Sequence, residues 1–406
     1  MTLCPFEDDR VDHLSPLTLT RAVYDLRVGA RTLLEGIEAA FPSDRLALHT
    51  RRAVAGMAAH EHPEAVEVAG PTLFVNGRWL VRPGDALGAV RELVGANEAR
   101  AITQGDALLA LWHPAPPEDV TAADALARLQ TEGVRSERVE GATLITHLWD
   151  LIDDLDARIA HDLDAMGGLG THAGTIEDGA HVVAPDSVHL GEGAVVRVGA
   201  VVRADEGPVW IGPGAEVGEN AVVKGPVYLG PKAVVHPAAR VEGSAVGYWS
   251  KLGGEVHGSV VHSLSSKGHD GYLGDSYLGR WCNLGADTNT SNLKNDYGEV
   301  TLWDAVAEDF VGSGRQFAGL FMGDHSKCSI NTMFNTGTVV GVFCNLFGSG
   351  FPPRHVPSFS WGGAEGLVPY RAEKALRVAE AVMARRERAL SDAERTRLET
   401  IAAAVS

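Results

Sequence analysis

The chain has 406 residues, 45% of them hydrophobic and 22% charged, and its 53 acidic residues outweigh 35 basic ones to leave a net charge of −18. This composition is globular, so it excludes a disordered tail or a collagen-like chain, and its acidity argues against nucleic-acid and membrane-surface partners. Small molecules are therefore the expected ligands. No apolar stretch reaches the roughly 18 residues of a membrane span and no leader is visible, which predicts a cytoplasmic protein without a membrane segment. Four scattered cysteines fit reduced thiols there.

The segment 1–165 has the mixed pattern of an α/β domain and contains no lysine, since the first lysine is Lys224. Apolar spacing over residues 17–34 predicts a helix, and helices are also predicted over 86–95 and 118–132. Residues 142–159 have the pattern of an amphipathic segment. The apolar run 71–75 before Asn76-Gly77 predicts a strand followed by a turn.

From Ile176 onward a hexapeptide period replaces that pattern. Small aliphatic residues return at every sixth position, as at Ile211, Val217, Val223, Leu229, Val235 and Val241, and later at Met322, Cys328, Phe334, Val340 and Leu346. A hexapeptide period predicts a parallel β-helix, in which each short strand forms one side of a triangular coil and points its aliphatic residue inward. Glycines suit the corners, where a positive φ is needed.

Two segments depart from this period. Residues 286–316 are polar and aperiodic, which predicts a loop projecting from the coil on the working face. After residue 363 an apolar stripe from Ala375 to Met383 predicts a helix, and Ser391 with Glu394 fits the capping box of a second one. The predicted domains are therefore 1–165, 166–363 and a helical tail over 364–406.

His269 is the leading candidate for chemistry. It lies between glycines in Lys-Gly-His-Asp-Gly-Tyr-Leu-Gly, where an imidazole is accessible, and histidine is the side chain that most often serves as a general base. Glu255 precedes it and Asn283 follows it at equal distances along the chain, each a little less than one coil away. Such offsets bring side chains of successive coils together, so we expect the Glu255 carboxylate to orient the His269 ring.

These residues resemble a known enzyme family. Gly-His-Asp-Gly-Tyr-Leu-Gly, followed by Asn283-Leu-Gly-Ala-Asp-Thr-Asn-Thr-Ser-Asn292, resembles the acetyltransferase half of the bifunctional bacterial enzymes that acetylate glucosamine-1-phosphate and then uridylylate it. The resemblance covers roughly residues 176–350. It implies catalysis by His269 with Glu255. It also implies a substrate site that holds Lys267, Tyr272, Asn283, Asn292 and Arg240.

The same resemblance implies a left-handed β-helix, a homotrimer and acetyl-CoA as acyl donor in the groove between adjacent β-helices. The chain departs from the family at the sugar phosphate. His257 stands where the family has a lysine that binds it, and the companion arginine has no clear counterpart, although Arg240 is nearby. An acceptor other than glucosamine-1-phosphate, one without that phosphate or holding it differently, is therefore plausible.

The opening segment Pro-Leu-Thr-Leu-Thr-Arg-Ala-Val-Tyr-Asp-Leu-Arg-Val-Gly, from residue 16, resembles sugar-1-phosphate nucleotidyltransferases. The resemblance implies nucleotide binding by Arg21, Asp25 and Arg27. Nucleotidyl transfer needs a glycine-rich phosphate loop, a cation and an aspartate on Mg²⁺. The segment 1–165 has no G-x-G and no lysine, and Arg78 stands where the metal aspartate is expected. Mg²⁺ is thus a cofactor only if this domain is active.

Three alternatives remain beside acetyl-CoA-dependent N-acyl transfer to an amino sugar or sugar phosphate. The first is a sugar-1-phosphate nucleotidyltransferase with the β-helix as trimerising scaffold, and the second is a non-catalytic nucleotide-sugar-binding protein. The third rests on His257 and His262, which resemble the histidine pair of gamma-class carbonic anhydrases. A zinc site of that kind needs a third imidazole. Only His236 lies reasonably near upstream, at the wrong spacing, so no metal ligands are assigned.

Overall fold

A computed structural model describes residues 1–116 and 134–405, so the predicted helix over 118–132 lies outside the described residues. The chain divides into two compact units. Unit 1 comprises residues 1–14, 20–26 and 31–146, and unit 2 comprises 15–19, 27–30 and 147–406. The segment 147–165, which the sequence assigns to the first domain, therefore belongs to the unit that contains the β-helix.

Unit 1 is an α/β fold around one mixed sheet. In spatial order its strands are Arg45–Leu46, Thr2–Phe6, Thr72–Asn76, Ala107–His113, Arg100–Gln104 and Arg135–Arg138, the first three mutually parallel. A second pair joins Trp79–Leu80 to Thr143–Leu144. The described helices are Leu33–Ala40, Ala55–Glu61 and Asp85–Leu93. The strand over 71–75 and the helix over 86–95 are thereby confirmed.

The helix predicted over residues 17–34 is wrong. The segment contains only a single 3₁₀ turn, Val23–Asp25, and the first α-helix begins at Leu33 after the N-cap Thr32. Every residue from 20 to 30 is buried, polar and apolar alike. An amphipathic surface helix has one face exposed to solvent, and residues 20–30 have no such face. The spacing of apolar residues in this segment therefore does not indicate a helix.

Unit 2 is built around a parallel β-helix whose strands stack into three faces. Face 1 consists of His181–Val183, Val201–Arg203, Val222–Lys224, Arg240–Glu242, Glu255–His257 and Tyr272–Gly274. Face 2 consists of Val188–Leu190, Val209–Ile211, Val227–Leu229, Ala245–Val246, Val260–Ser263, Tyr277–Arg280, Leu320–Met322, Thr338–Val340 and His355–Val356. Face 3 consists of Thr175–Ile176, Val195–Val196, Glu216–Val217, Val234–Val235, Lys251–Leu252 and Ser266–Lys267.

Later strands extend this stack. Face 3 continues through the single pairing of Asn283 with its neighbours into Lys327–Cys328, Asn345–Leu346, Ser360–Gly363 and Gly366–Pro369. Asn289–Thr290 pairs with Met333–Phe334, and the inserted segment forms an antiparallel hairpin, Thr301–Asp304 with Asp309–Gly312. The predicted loop therefore contains a small sheet of its own.

The inward positions confirm the hexapeptide period. All the aliphatic residues named for it, from Ile211 to Leu346, are buried in one continuous core. In-register pairs such as Ile211 with Leu229 place equivalent residues of successive coils on top of one another, which buries aliphatic area that an isolated strand would expose. The left-handed sense of the coil stays what the resemblance implies.

Helices flank the β-helix within unit 2. A 3₁₀ turn, Leu148–Leu151, and the helix Leu155–Met166 occupy half of the predicted amphipathic segment 142–159. The tail forms Ala372–Ala384 and Asp392–Ala404, the latter with the predicted capping box of Ser391 and Glu394. Across the described residues, no helix combines the length and the apolarity that crossing a bilayer requires.

Candidate functional site

The most unusual corner of the β-helix lies between face 3 and face 1, and we call it the 3–1 corner. The coil that runs from the inward residue Leu252 to the next one, Lys267, is three positions shorter than the coil from Val217 to Val235. At the 3–1 corner of this shortened coil, only Gly253 and Gly254 separate the face 3 strand from the face 1 strand. A Cβ on Gly254, whose φ is +67°, would lie 2.5 Å from the Gly271 carbonyl oxygen. Only glycine fits there.

This short, side-chain-free turn leaves a depression of about 400 Å³ between the coils above and below it. His236 lines it from the preceding coil, and His269, Asp270 and Asp287 line it from the following ones. The His269 side chain is exposed, as a base that meets substrate must be. Burial, together with the charges of Lys251 and His269, lowers the pKa of His236, which favours the neutral form of its ring.

Lys267 holds this corner in place from inside the coil. It occupies an inward position in register with Leu252, where other coils carry aliphatic residues, and it is 1% exposed. Its Nζ donates hydrogen bonds to the carbonyl oxygens of Gly253, His269 and Asp270. The ammonium is thereby occupied, so this placement favours a positioning role for Lys267 over contact with substrate. Burial lowers its pKa to about 8.

Face 1 carries the expected substrate residues in one outward column. Arg240, Glu255 and Tyr272 are in register on adjacent strands. The Glu255 carboxylate forms an ion pair with Arg240, and among the described residues no hydrogen bond joins it to His269. The structure of one chain therefore gives Glu255 a different partner from the expected one, its in-register neighbour Arg240.

Tyr272 and Asn292 are brought together. Asn292 Nδ2 donates to the Tyr272 hydroxyl at 3.1 Å and to Asp275 Oδ2 at 2.5 Å. Burial, with the nearby charge of Asp275, raises the pKa of Tyr272. Burial also raises the pKa of the Asp275 carboxyl, against the opposing effect of the Asn292 hydrogen bond and the charge of His257. The result is a polar cluster at the end of face 1 opposite the 3–1 corner.

Asn283 and the histidine pair lie elsewhere. Asn283 is exposed on face 3, between Ser266 and Lys327, and so lies across the 3–1 corner from Tyr272. His257 is exposed on face 1, whereas His262 is buried on face 2 with its Nδ1 3.1 Å from the Ser263 hydroxyl. Because the two rings lie on different faces, they do not converge on a common ion within one chain.

Unit 1 has its own cavity, of about 1080 Å³, next to the carboxyl end of the strand Thr2–Phe6. Parallel α/β sheets bind ligands at this edge. Three arginines and five acidic residues line the cavity: Arg10, Arg51, Arg78, Glu7, Asp8, Asp9, Asp12 and Asp106. Each arginine already contacts a carboxylate, Arg10 that of Asp106 at 3.1 Å and Arg51 that of Glu7 at 3.1 Å.

These residues do not fit a nucleotidyltransferase magnesium site. Arg78 Nε and Nη2 donate to both oxygens of Asp8 at 2.7 and 2.6 Å, and Asn76 Nδ2 donates to Asp8 Oδ2 at 2.8 Å. Burial raises the pKa of Asp8, but these bonds outweigh it and leave the pKa below its usual range. A guanidinium thus already neutralises the carboxylate that a divalent cation would need, and bidentate pairs of this kind are strong.

The expected nucleotide-binding residues do not line that cavity. Arg21 and Arg27 are 2% and 8% exposed, and the Asp25 carboxylate lies 2.7 Å from His62 Nε2. Arg27 lies within unit 2, where its backbone N–H donates to the Tyr277 hydroxyl and its guanidinium lies 5.3 Å from the Tyr228 ring. The segment that carries the resemblance is therefore an interior segment rather than an exposed phosphate loop.

Comparison with known proteins supports both resemblances. Residues 3–167 match the profile of the family described as sugar nucleotidyl transferase. The N-terminal part of the chain is thus similar to sugar nucleotidyl transferases. The chain is also 32% identical over 120 residues to the bifunctional protein GlmU of Methanococcus aeolicus, which covers 30% of the chain and 25% of that protein.

A second relative is the bifunctional sugar-1-phosphate nucleotidylyltransferase/acetyltransferase of Sulfurisphaera tokodaii, 33% identical over 93 residues, 23% of each chain. The matched stretches therefore span about a quarter of these curated relatives. Among solved structures, the UDP-N-acetylglucosamine acyltransferase from Campylobacter jejuni matches with a TM-score of 0.27 and 14% identity, over 56% of this chain and 90% of that one. A likeness this low adds nothing to the argument.

Several site residues escaped the sequence prediction. The two-glycine turn and the neighbouring His236 were not assigned to the acyl-transfer site, nor was Asp275. The sequence does contain a signal for the 3–1 corner. The spacing between the inward positions Leu252 and Lys267 is shorter than the usual spacing of one coil. No comparable signal exists for Arg51 and Asp12, which a 3.0 Å ion pair brings together at the unit 1 cavity from distant parts of the chain.

Proposed function

We propose that the β-helix catalyses acyl transfer from an acyl-CoA, acetyl-CoA being the expected donor, to the amino group of a sugar or sugar phosphate. The observation that carries this proposal is that the exposed His269 lines the depression at the 3–1 corner. It lies just before the strand that presents Tyr272. The identities to bifunctional nucleotidylyltransferase/acetyltransferases support the same class of reaction.

In this mechanism the amine nitrogen attacks the thioester carbonyl carbon while His269 accepts the proton that the nitrogen releases. The carbon–sulfur bond then breaks, the CoA sulfur leaves and takes up a proton, and an amide remains on the sugar. Backbone N–H groups of a neighbouring coil stabilise the oxyanion. Tyr272 and Asn292 bind the acceptor, Asn283 faces the donor side of the corner, and Glu255 and Arg240 border the acceptor on face 1.

The remaining assignments are parts of the same proposal. We place the protein in the cytoplasm as a homotrimer, with a small-molecule sugar or nucleotide sugar as its partner. All four cysteines are free thiols, as a reducing compartment allows. Exposed apolar side chains on the coils, such as Ile330 and Phe347, suit contact with further copies.

Nucleotidyl transfer by unit 1 is the second candidate, favoured by the family match over residues 3–167. The Arg78–Asp8 pair argues against it, because the Asp8 carboxylate is already neutralised. Binding of a nucleotide sugar without catalysis remains compatible with the cavity of unit 1.

The experiment measures thiol release from acetyl-CoA by the full-length protein against a panel of amino sugars and their phosphates. His269→Ala should lower kcat by about 10²-fold or more, as removal of a general base does. His181→Ala is the matched control, since His181 is another exposed histidine and begins the first strand of face 1, several coils away from His269. If no acceptor supports thiol release, or if both variants retain wild-type turnover, the proposal is wrong.

A further inference from the structure

The polar cluster at the end of face 1 contains a carboxylate that no step of the proposed mechanism uses. Asp275 follows the strand Tyr272–Gly274, and its Oδ2 accepts a hydrogen bond from Asn292 Nδ2 at 2.5 Å. The same amide nitrogen donates to the Tyr272 hydroxyl at 3.1 Å. Asp275 is therefore connected, through one amide group, to both residues that we expect to bind the acceptor.

The backbone of Asp275 has a conformation that favours glycine. Its φ is +44°, whereas the two preceding coils carry Gly243 and Gly258 at the same corner position, each with a φ of +56°. Glycine serves such a turn with less strain than any other residue, and strained side chains are found mainly where they have a function. The side chain of Asp275, rather than the turn, therefore accounts for an aspartate here.

The Tyr272 ring lies back along its own strand towards this corner. A Cβ added to Gly274 would lie 2.3 Å from the Tyr272 hydroxyl oxygen, so the hydroxyl occupies the space that a side chain at 274 would fill. The preceding coil carries His257 at the equivalent position. Glycine at 274 therefore allows the hydroxyl to reach Asn292.

Asp275 fixes the direction in which the Asn292 amide faces. An ionised carboxylate only accepts hydrogen bonds, so the amide nitrogen, not the amide oxygen, must lie towards it. Both N–H groups of this nitrogen are then occupied, one by Asp275 and one by Tyr272. In the described parts of the chain, nothing donates to Asn292 Oδ1 and nothing accepts the hydrogen of the Tyr272 hydroxyl. These two groups are available to a ligand.

Without the carboxylate, the Asn292 amide is free to turn over. Its oxygen could then accept the hydrogen of the Tyr272 hydroxyl, because the two ends of an amide group are nearly equal in size and shape. Each of the two groups would then satisfy the other, and a ligand would lose one acceptor and one donor.

We propose that Asp275 is a positioning residue, which orients Asn292 so that Asn292 Oδ1 and the Tyr272 O–H bind hydroxyl groups of the acceptor. A sugar hydroxyl both donates and accepts hydrogen bonds, so neighbouring hydroxyls match this pair of groups. The inference rests on the proposed acyl transfer for its acceptor, whereas the orientation of the amide needs no substrate.

The test measures thiol release by the full-length protein with the acceptor varied at saturating acetyl-CoA. Asp275→Gly removes the carboxylate and suits the positive φ, so it should raise the acceptor KM about tenfold or more and leave kcat within about threefold. Asp275→Asn should keep the acceptor KM within about threefold, because asparagine tolerates this φ and its Oδ1 can accept from Asn292. Asn220→Gly, at a φ of +57° on another corner, is the matched control and should behave as the wild type.

A double-mutant cycle with Asn292→Ala separates positioning from a direct effect. If Asp275 acts through Asn292, adding Asp275→Gly to Asn292→Ala should change the acceptor KM by no more than about twofold. Effects that multiply in the double variant would overturn the inference, as would an unchanged acceptor KM in Asp275→Gly. If Asp275→Gly does not fold, Asp275→Ala replaces it, since Ala184 adopts a φ of +54° in this chain.

A second measurement needs no activity. The side-chain amide protons of Asn292, assigned by NMR with Asn292→Ala, should exchange with solvent more slowly in the wild type and in Asp275→Asn than in Asp275→Gly. Equal exchange in all three proteins would overturn the inference. Slow exchange in a protein that releases no thiol with any acceptor would overturn the proposed acyl transfer and leave the orientation of Asn292 by Asp275 standing.

Discussion

At the scale of single residues, the clearest departure from the repeat is a lysine inside the coil. Lys267 occupies an aliphatic position, yet its ammonium reaches three carbonyl oxygens of the corner that presents His269. Buried charges cost free energy unless hydrogen bonds replace the lost water, and here three do so. The sequence shows a lysine beside a histidine, but only the inward register reveals that it positions the corner.

We expect Lys267 to make stability depend on pH. Its pKa is about 8 in the folded protein and about 10.4 in an unfolded chain, so the unfolded state holds more protons between those values. The contribution of Lys267 to the free energy of unfolding should therefore increase as pH rises from 8 to 10, by at most about 1.4 kcal/mol per pH unit. Urea unfolding at pH 7, 8, 9 and 10 measures this.

Burial lowers the pKa of Lys327 to about 8 as well, and buried thiols with raised pKa values act in the opposite direction, so the wild type is compared with Lys267→Met at each pH. The stability of the wild type relative to Lys267→Met should rise between pH 8 and 10. In the variant, kcat for acyl transfer should fall because the carbonyls of His269 and Asp270 lose their donor. Lys251→Met, at an outward position of the same face, controls for loss of a lysine. An unchanged pH profile in Lys267→Met would contradict the placement of its ammonium.

The ion pair between Arg78 and Asp8 determines how we expect unit 1 to respond to divalent cations. Wild-type protein should show no gain in melting temperature with millimolar Mg²⁺ or Mn²⁺, because Arg78 already neutralises Asp8. Removing Arg78 leaves a mostly buried carboxylate uncompensated, which should destabilise the protein by about 3–5 kcal/mol. Mn²⁺ should then recover part of the decrease in melting temperature that Arg78→Ala causes.

Arg78→Lys is the companion variant, since it keeps the charge but loses the bidentate geometry. It should be more stable than Arg78→Ala and should not respond to Mn²⁺. Stabilisation of the wild type by Mg²⁺ through Asp8, abolished in Asp8→Asn, would instead indicate a working metal site.

At the scale of elements, Gly254 at the 3–1 corner combines a positive φ with close backbone contact. Gly254→Ala should cost about 1–3 kcal/mol of stability from strain, with a further loss from the contact between its Cβ and the Gly271 carbonyl oxygen. Gly193→Ala is the matched control, because Gly193 has nearly the same φ of +69° but nothing nearer than 4.0 Å to the added Cβ.

Urea unfolding of the two alanine variants separates strain from contact. We expect Gly254→Ala to be the less stable and to lose acyl transfer, because the corner that carries His269 must shift. Equal stability of the two variants would show that the turn can relax. The depression at the 3–1 corner would then not require glycine at position 254.

Periodicity predicted the elements of unit 2 better than those of unit 1. Each inward residue of the coil packs against the equivalent residues of the neighbouring coils. The tertiary contacts of unit 2 therefore follow from the sequence repeat itself. In residues 17–34, by contrast, burial on all sides comes from distant segments of chain, and the apolar spacing there is not a helix face. The capping boxes at Thr32 and Ser391 depend on neighbours within one helical turn, which is why the one at Ser391 could be recognised.

At the scale of the whole molecule, we expect assembly to depend on exposed apolar side chains of the later coils. Ile330 is 65% exposed, and exposed apolar side chains of this size suit contact between copies. Sedimentation velocity should give a trimer for the wild type. Ile330→Glu should shift it towards monomer, because the buried carboxylate would lack a partner.

A matched variant is Val405→Glu, which places the same charge on an exposed apolar residue of the C-terminus. It should sediment as the wild type does. A wild-type protein that sediments as a monomer would contradict the trimer, and a trimer in Ile330→Glu would place the interface elsewhere.

The sequence by itself determined the β-helix, the helical tail and the identity of the exposed histidine, because these depend on short repeats and local motifs. Tertiary structure decided which side chains meet. It paired Glu255 with Arg240 and turned Lys267 inward, and it buried the arginines that a phosphate loop would expose. Those outcomes depend on the register of strands that lie a whole coil apart and on burial from all sides, and neither quantity is encoded in the spacing of neighbouring residues.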